Sequence, residues 1–552
     1  MTNERTLAQY RVPYATWIGA AICLAAIAPL LYLGRHLNFL SDEWTFIVHR
    51  NDSGIAALLR PHNEHWSTLL TVILRALFAT IGLRVYWPYL LLLELFHVAT
   101  AFVLFLLVRR RAGEVLGLAA MLAILFIGRG AENIFWAFQI GFVGSVLFGL
   151  VAMLALDPPN PGRGRLVVAS VAMLLALMFS GIGIFFCAAI AVQLLVDRRR
   201  HAQLGVAILP VLAYLVWFFA YGRAGAVSHR FPLSPTALIS LPGFVPFGIG
   251  SALAGLFGLS DRWASALLAA ATALLALAWY RRGWVGAVAL SLAAGLIAQY
   301  GLTALVRGQF GDLQAGSSRY VYVGAIFLVL LIADALAQFR VRRGLVLVSA
   351  IVFVVVLDYS AYHLADFARG RDFRVAEQQG QLQALELLRG SPSMQLDAEV
   401  DATNYTPITA RQYYEAIDAL GSPVPRISLA QLGASAAAPV DTMIRRIFAP
   451  TITSGSGAAG QTMGCQAYLG ASTANVDLKA AAGSAVEVSA ATAETIGVTV
   501  TLFASPMGNP DQQVEVSAGT TVRIELPRTA EPITWHLGIA LPAAGQTQIC
   551  GP

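Results

Sequence analysis

The residues best suited to chemistry lie in one polar stretch, Asn38 to Trp66, which directly follows the first apolar segment. Two adjacent carboxylates, Asp42 and Glu43, stand near its beginning. A carboxylate in a partly desolvated pocket has a raised pKa and can take a proton from a hydroxyl group near neutral pH. The pair therefore predicts a catalytic site. The structural alternative is that Ser41 caps a short helix and the two acids occupy its first turn.

A second polar group lies at the end of the same stretch. The imidazoles of His62 and His65 and the carboxylate of Glu64 can hold a phosphate or a sugar through hydrogen bonds, and the rings of Trp44 and Trp66 offer apolar faces to a sugar. A metal site is the alternative, although this spacing supplies no fixed further ligand. We predict substrate contacts here and leave a divalent cation open.

Another loop carries polar residues where the chain enters a later apolar segment. Its residues Glu132, Asn133, Trp136 and Gln139 can share one face of a helix at this spacing. They predict either a hydrogen-bonded network at a helix end or a polar wall of the same substrate cavity.

Two arginines flank the last loop before the tenth apolar segment. Arg307 stands at the start of this loop, and Arg319 with Tyr320 stands at its end. An arginine at a membrane interface can simply extend its head group to water. It can also hold a phosphate through two parallel hydrogen bonds, and we predict a phosphate site at these three residues.

The composition places the chain in a membrane. Of its 552 residues, 57% are hydrophobic and only 12% are charged, with a mean hydropathy of +0.66. The formal net charge of +6 does not indicate nucleic-acid binding, because the arginines are spread over short loops and form no contiguous basic face.

Eleven apolar stretches are predicted to span the bilayer, each close to the roughly 20 residues that a crossing needs. They are Tyr14 to Leu33, Tyr86 to Val108, Val115 to Gly128, Phe135 to Leu156, Leu166 to Gly181, Ile182 to Val196, Leu204 to Tyr221, Ala264 to Trp279, Trp284 to Leu305, Tyr320 to Phe339 and Leu345 to Tyr362.

Two apolar segments are left out of that count. Ser67 to Gly82 carries a polar stripe of Thr68, Thr71 and Arg75, which is typical of an interfacial or cavity-lining helix. Leu241 to Leu259 is rich in glycine and proline, and we expect a re-entrant or broken helix that lines a cavity.

Eleven spans place all the inter-span arginine clusters on one side. The positive-inside rule makes that side cytoplasmic, and with it the N-terminus. The clusters are Arg109 to Arg111, Arg163 with Arg165, Arg198 to Arg200, Arg281 with Arg282, and Arg340 with Arg342 and Arg343. The polar loops described above then share the outer side with the C-terminal part of the chain.

The chain after residue 362 reads as a soluble, extracytoplasmic α+β portion. Residues 363–450 predict a helical connector, with helices over Phe373 to Leu388 and Ala410 to Leu420. Residues 451–552 alternate apolar and polar positions between turn signals, as in Val498 to Phe503, and predict a small β-sandwich or jelly roll.

The four cysteines divide by environment. Cys23 and Cys187 lie inside apolar spans and predict packing residues. Cys465 and Cys550 bracket the last hundred residues, and we predict a disulfide between them, which requires an oxidising compartment.

The arrangement resembles the GT-C superfamily of integral-membrane glycosyltransferases, which includes protein mannosyltransferases and actinobacterial mannosyl- and arabinosyltransferases. The matching features are the paired acids Asp42 and Glu43 after the first span, the acid/His motif Glu64 and His65, the late Arg319 and Tyr320, and an outward-facing C-terminal domain. The resemblance implies a polytopic GT-C-like fold of about eleven spans in a bacterial cytoplasmic membrane.

The resemblance also implies an activity. A sugar would pass from a polyprenyl-phosphate carrier to a glycan, lipid or protein acceptor on the outer side of the membrane, by in-line, inverting displacement. Asp42 would be the general base, and Arg319 with Arg307 would balance the charge of the leaving phosphate. Glu43, Glu64 and His65 would position the substrates, and the β-rich domain would suit glycan binding.

Two other classes of function stay open. A secondary transporter or flippase is supported by Glu94 and His97, one helical turn apart within the second span, since intramembrane ionisable residues are costly. The third class is a non-catalytic envelope assembly or glycan-binding protein, in which the C-terminal portion carries the function.

Overall fold

The chain divides into two compact units. The computed structural model describes residues 4–6, 9–225, 235–337, 339–401, 407–455, 464–469, 475–505, 510–542 and 546–551. The first unit comprises Met1–Leu37, Asn51–Thr80 and Tyr86–Arg371, and the second comprises Asn38–Arg50, Ile81–Val85 and Asp372–Pro552. The polar stretch Asn38 to Trp66 is therefore shared, with its beginning in the second unit and its end in the first.

The first unit is almost entirely helical. With helices and strands numbered in chain order over the whole protein, it contains β1 Glu4–Thr6, α1 Ala15–Leu33, α3 Ile55–Leu59, α4 Thr68–Thr80, α5 Trp87–Ala112, α6 Glu114–Leu125, α7 Glu132–Phe135, α8 Ile140–Leu156, α9 Arg163–Phe179, α10 Gly183–Val196, α11 Gly205–Trp217, α12 Arg223–Gly225, α13 Pro235–Leu256, α14 Ala264–Arg282, α15 Ala287–Arg307, α16 Ser318–Leu336, β2 Arg340–Arg342 and the first part of α17 Arg343–Leu387. Strands β1 and β2 form an antiparallel pair.

The apolar runs are bounded by ordinary helix signals. Helix α5 has Pro88 in its first turn, where no N–H is needed, and ends before Gly113, which takes a φ of 94°. Helix α8 packs closely on its neighbours because its glycines leave room: a Cβ at Gly144 would lie 2.8 Å from the ring of Phe179. Small residues at such contacts let apolar helices approach one another.

The polytopic architecture predicted from the sequence is confirmed. Within the residues described, nine helical segments are long and apolar enough to cross a bilayer by length and composition, namely Ala15–Leu33, Trp87–Ala112, Ala137–Leu156, Gly205–Gly222, Ala237–Leu256, Asp261–Arg282, Ala287–Phe310, Ser318–Leu336 and Gly344–Leu387. The remaining predicted spans form α6, α9 and α10, which are 12, 17 and 14 residues long.

Arginine-rich loops meet at one end of this unit. Arg111 Nε lies 3.1 Å from Asp157 Oδ1, and Arg200 donates to the carbonyl of Leu156 at 2.7 Å. Three of the loops predicted to be cytoplasmic therefore lie together.

Helix α13 corrects one prediction. The segment expected to be broken is a continuous helix over Pro235–Leu256, with Pro242 and Pro246 inside it. An internal proline removes one backbone hydrogen bond, and neighbouring helices can compensate for that loss in a membrane protein.

Two parts of α13 lie beside the loop 308–317 or beside a residue bonded to it. In the first half of the helix Gly243 packs directly against the side chain of Asp312, and near its end a Cβ at Gly255 would lie 3.2 Å from Cβ of Arg129. Arg129 in turn donates to the carbonyl of Gly316 at 3.4 Å. Both contacts agree with the prediction that this segment adds no crossing, and that statement stays a prediction.

The second unit joins short helices to a β domain. Its helices are α2 Asp42–Val48, the last part of α17, α18 Ala410–Leu420 and α19 Leu429–Ile447, and its strands are β3 Thr451–Gly455, β4 Cys465–Leu469, β5 Asn475–Ala481, β6 Ala485–Ala490, β7 Glu494–Thr501, β8 Gln512–Val516, β9 Thr521–Glu525, β10 Thr534–Ala540 and β11 Gln546–Cys550. The helix predicted over Phe373 to Leu388 is the end of α17. Helix α18 has the predicted bounds, because Thr409 and Gln412 form a capping box and Gly421 ends it with a φ of 85°.

The predicted β-sandwich is confirmed. A five-stranded sheet in the order β3-β9-β6-β11-β4 and a four-stranded sheet in the order β5-β10-β7-β8 are both antiparallel. Alternate side chains of β6 are buried, as a strand with one covered face requires. Cys465 and Cys550 lie opposite each other on β4 and β11 and form the predicted disulfide, while Cys23 and Cys187 are free and buried.

Candidate functional site

An ion pair between Glu64 and Arg307 is the centre of the candidate site in the first unit. Arg307 Nη2 lies 2.9 Å from Glu64 Oε1 and 3.1 Å from Oε2. The two residues are 243 positions apart in sequence. The end of the polar stretch and the end of α15 therefore meet, as expected for loops predicted to lie on the same side of the membrane.

A tight backbone bridge sets the direction of Glu64. His62 and His65 exchange two backbone hydrogen bonds of 3.1 and 3.0 Å, which closes a small loop around Asn63 and Glu64. Asn63 has a φ of 53°, a conformation that asparagine adopts more readily than most residues. The sequence Asn-Glu at this turn thus positions the carboxylate.

His65 lies beside the ion pair and is held from two sides. Its Nδ1 accepts a hydrogen bond from the backbone N–H of Gly181 at 3.3 Å, and its ring meets Phe142 edge to face at 5.3 Å. Because Nδ1 accepts, the neutral ring carries its proton on Nε2. This Nε2 lies 3.8 Å from Glu64 Oε1.

The charges of this cluster set its protonation states. Burial lowers the pKa of His65 from 6.5, and the charges of Arg307 and Arg319 lower it further, although Glu64 acts in the opposite direction. His65 is therefore a neutral donor at pH 7. Burial alone would raise the pKa of Glu64, but the charge of His65 and the charge and hydrogen bonds of Arg307 outweigh burial and lower it from 4.5. Since His65 is neutral at pH 7, Arg307 is the partner that keeps Glu64 ionised there.

A second arginine–glutamate pair lies next to the first. Arg319 Nη2 is 3.4 Å from Glu132 Oε1, and Asn133 donates to the carbonyl of Arg319 at 3.2 Å. The phenol of Tyr320 is buried within electrostatic range of both pairs. The structure thus brings together predicted site residues from three separate loops.

The predicted helical face of Glu132, Asn133, Trp136 and Gln139 is wrong. Helix α7 ends at Phe135, and Trp136 is extended with φ −134° and ψ 109°. The extended residue directs the Trp136 ring against Phe138, with centroids 4.8 Å apart, and beneath the guanidinium of Arg371 at 5.1 Å. Gln139 is fully buried. Of the four residues, Glu132 and Asn133 contact Arg319 directly.

Trp66 and His62 are surrounded by aromatic rings. Trp66 stacks on Trp217 with centroids 5.3 Å apart and donates to Thr68 Oγ1 at 2.8 Å. The ring of His62 lies 5.2 Å from that of Phe138. Trp66 is 7% exposed, so packing accounts for most of its surface.

Three residues that contact the site were not predicted from the sequence. Gly181 holds His65, Asp261 pairs with Arg129 at 2.6 Å, and Arg371 covers Trp136. Asp261 carried a usable signal, because it is an acid in an otherwise apolar region; a glycine that donates from its backbone carries none.

The paired acids Asp42 and Glu43 lie at the start of α2 in the second unit. Glu43 is 1% exposed and its Oε2 accepts from the backbone N–H of Leu40 at 2.8 Å, so Glu43 closes the turn before α2. The side chain of Ser41 makes no capping bond, which corrects one part of the structural alternative, but both acids lie in the first turn of α2 as that alternative predicted. Asp42 is only partly buried.

Trp44 is a core residue of the second unit. Its side chain is 0% exposed, and its ring meets those of Phe39 and Tyr413 at centroid distances of 6.4 and 5.8 Å. This burial leaves no face of the indole for a sugar, so the predicted substrate contact of Trp44 is corrected to packing.

Backbone strain marks both acidic motifs. Ser41 has φ 56° and ψ −121°, a backbone conformation that residues other than glycine rarely adopt. Within the described ranges only three non-glycine residues have a positive φ, and Ser41 and Asn63 are two of them. Each stands directly before an acid of a predicted motif, and strain of this kind is concentrated at functional sites.

A metal site was left open by the sequence. Over the part of the chain that the structure describes, no group of three or more His, Cys, Asp or Glu side chains is placed to hold a metal ion. The acids of the candidate site are instead paired with arginines.

Among known proteins, similarity is found to solved structures and not to family models or curated sequences. No protein-family model matches the chain, and no curated protein matches it. The fold is similar to two crystal structures of ArnT from Cupriavidus metallidurans, one bound to undecaprenyl phosphate and one in the apo state. The identities are 14% and 15% and the TM-score is 0.45 for both; the similar parts cover 80% and 79% of this chain and 93% and 92% of those chains.

Proposed function

We propose that the protein is a membrane glycosyltransferase. It moves a sugar from a polyprenyl-phosphate-linked donor to a cell-envelope acceptor on the outer face of a bacterial cytoplasmic membrane. The observation that carries the proposal is the cluster of two arginine–glutamate pairs around His65, built from three loops of an otherwise apolar helical unit.

The cluster suits a phosphate monoester or diester attached to a lipid. Arg307 Nε is buried and has no hydrogen-bond acceptor among the residues described, and an orphaned buried donor costs about 1–3 kcal/mol. A phosphate oxygen would satisfy it in the forked geometry that arginine prefers. Glu64 and Glu132 hold the two guanidinium groups in place before the phosphate arrives.

The proposed reaction is an in-line displacement. The acceptor hydroxyl attacks the anomeric carbon from the face opposite the phosphate, and its proton passes to the carboxylate of Asp42. The carbon–oxygen bond to the carrier breaks, and the bonding electrons leave with the polyprenyl phosphate. Arg307 and Arg319 balance the charge that develops on that phosphate. The product has the inverted anomeric configuration.

Asp42 is assigned the role of base for two reasons. It is partly accessible, whereas its neighbour Glu43 is buried and bonded to Leu40. It also follows the strained backbone of Ser41, and backbone strain of this kind is concentrated at functional sites.

Transfer of radiolabelled sugar tests the proposal. The purified protein in lipid vesicles is given a panel of polyprenyl-phosphate hexoses and pentoses with extracted membrane acceptors. Asp42→Asn and Arg319→Ala are each expected to lower turnover by about a hundredfold or more, since a general base contributes about 10²–10⁴-fold and one charge-stabilising donor contributes about 10²–10³-fold.

Matched controls come from an exposed ion pair of the same helical unit. Asp366 and Arg369 pair at 3.3 Å with side chains 60% and 62% exposed, and Asp366→Asn and Arg369→Ala should retain wild-type turnover. Turnover that survives Asp42→Asn would remove that carboxylate from the chemistry. Turnover that survives both test variants would contradict the proposed site.

A secondary transporter is the second candidate, and Glu94 favours it. Glu94 is fully buried in α5, and neither carboxylate oxygen has a hydrogen-bond partner within the described part of the chain. His97, one turn further, is accounted for by bonds to the hydroxyl of Tyr322 at 2.9 Å and the carbonyl of Leu125 at 3.1 Å. Substrate uptake into proteoliposomes that is lost in Glu94→Gln and unaffected by Asp42→Asn would favour transport.

A further inference from the structure

The second unit contains a cavity of about 790 Å³ that no role so far explains. The end of α17, the end of α18, the segment that follows it and the turn before β10 form its walls. Its size lies within the 300–1,000 Å³ that is typical of small-molecule sites.

Paired charges form the fixed part of the lining. Arg389 donates to both oxygens of Asp418, each at 2.7 Å. Glu386 accepts hydrogen bonds from the hydroxyls of Tyr413 at 2.7 Å and Ser422 at 2.5 Å. These groups are held rigidly and still have lone pairs or N–H groups to offer.

Unpaired charges form the rest of the polar lining. Arg84, Arg426 and Glu531 line the cavity, and within the described ranges none of their side chains has an ion-pair or hydrogen-bond partner in the protein. Arg84 lies across Gly421, where an added Cβ would come within 2.6 Å of its Nε. The glycine that ends α18 therefore also leaves room for this arginine at the cavity wall.

The balance of these groups selects a class of ligand. Three arginines and three carboxylates line the cavity, so their charges cancel and a simple anion is not favoured. An apolar ligand would displace water from six charged groups without forming hydrogen bonds to them, which is energetically unfavourable. A saccharide carries adjacent hydroxyls that each donate and accept, which matches closely spaced guanidinium and carboxylate groups. Pro425, Ile427 and Pro532 supply apolar wall for the C–H face of a sugar ring.

We propose that this cavity is a saccharide-binding site. Arg84, Arg426 and Glu531 bind hydroxyl groups directly, and the Arg389–Asp418 pair positions them. In so far as the protein is the glycosyltransferase proposed above, the bound saccharide is a part of the acceptor glycan, and the site lies between the helical connector and the turn before β10 rather than on a face of the β-sandwich.

Binding of soluble oligosaccharides to the full-length protein in detergent tests this site. Isothermal titration calorimetry uses four probes: neutral hexose and pentose oligomers of two to four units, N-acetylhexosamine oligomers, uronic-acid oligomers, and inorganic phosphate. At least one saccharide class is expected to bind saturably. The double variant Arg426→Ala with Glu531→Gln is expected to weaken that binding about tenfold or more, because two hydrogen bonds to charged groups are removed.

The control carries the same charge changes on exposed residues outside the cavity lining. Arg523→Ala with Glu515→Gln lies on β9 and β8 and should bind like the wild-type protein. Both test residues are exposed, so a folding failure is not expected, and an unchanged thermal midpoint checks this. Binding by no saccharide class, binding of phosphate alone, or equal binding by the test variant would each overturn the proposal.

The titration contains no sugar donor, so it is independent of catalysis. Saccharide binding without any sugar transfer would leave this site standing and remove the proposed function. Sugar transfer without saccharide binding would support the proposed function and contradict the saccharide site.

Discussion

At the scale of single residues, the structure separates two kinds of acid. Glu43 is buried and closes a turn, whereas Glu64 faces a guanidinium group and is kept ionised by it. His65 next to Glu64 is held neutral by burial and by two neighbouring arginines. The chemical role of a carboxylate or imidazole in this protein therefore depends on its partners and less on its place in a motif.

The His65 environment predicts a specific pH dependence. Its pKa in the folded protein is lowered from 6.5, so between the lowered value and 6.5 the unfolded chain binds more protons, and stability falls as the pH falls below 6.5. The lowered pKa of Glu64 adds a second loss below 4.5. The thermal midpoint of the wild-type protein should be level above pH 6.5 and decrease on acidification.

Replacing the histidine isolates its part of this effect. His65→Gln should remove the decrease that begins near pH 6.5 and keep the one that begins below pH 4.5. His201→Gln is the matched control, because His201 is an exposed histidine at the arginine-rich end of the unit. If His65→Gln and the wild-type protein lost stability in parallel from pH 6.5, the neutral state of His65 would be wrong.

At the scale of elements, one carboxylate joins helix α19 to the β-sandwich. Asp441 is 7% exposed and accepts three backbone hydrogen bonds, from Leu502 at 2.7 Å and from Phe503 and Ala504 at 3.0 Å each. These donors follow directly after β7, where the sheet no longer supplies acceptors. The helix thus completes the hydrogen bonding of the strand end.

Removing this carboxylate should loosen the strand end. Asp441→Ala orphans three N–H groups and is expected to cost about 3 kcal/mol, because hydrogen bonds to a charged group contribute about 1.5–3 kcal/mol. Hydrogen exchange followed by mass spectrometry should then find the amides of Leu502 to Ala504 exchanging about a hundredfold faster.

An exposed acid provides the comparison. Asp397 pairs with Arg411 and has a side chain 76% exposed, and Asp397→Ala should change exchange at Leu502 to Ala504 very little. Slow exchange at these three amides in Asp441→Ala would mean that the sheet holds them without the helix.

At the scale of the whole molecule, one long-range contact bears on whether the number of crossings between two loops is even or odd. Glu64 and Arg307 are bonded to each other, so an even number of crossings separates them in the chain. If all the predicted spans between these two residues cross the membrane, their number is even, and counting α13 as a further crossing would make it odd. The contacts of Gly243 with Asp312 and of Gly255 with Arg129 agree with leaving it out.

Cysteine labelling tests this topology. Pro235, the first residue of α13, and Ser260, which follows its end, are exposed, and Pro235→Cys and Ser260→Cys should both react with a membrane-impermeant maleimide added to intact spheroplasts. Gly164→Cys, exposed at the arginine-rich end, should react only after the membrane is opened. The native free cysteines are buried and give little background. Labelling of Pro235→Cys and Ser260→Cys from opposite sides would make α13 a true span.

The sequence by itself determined the features that depend on local physics. Apolar length predicted the helical membrane unit, turn signals and alternation predicted the sandwich, and the Thr409 and Gly421 signals predicted α18. The separation of Cys465 and Cys550 from the apolar spans predicted their disulfide. Each of these depends on residues that are near one another in the chain or on composition alone.

Tertiary structure decided which polar residues meet. Nothing near Glu64 in sequence indicates that Arg307 is its partner, and the helical spacing of Glu132 to Gln139 did not reveal the extended residue Trp136. Likewise only the packing of α2 against α18 buries Trp44 on Tyr413. The physical reason is that apolar runs dictate helices locally, whereas ion pairs, buried rings and the path of α13 depend on how distant helices pack together.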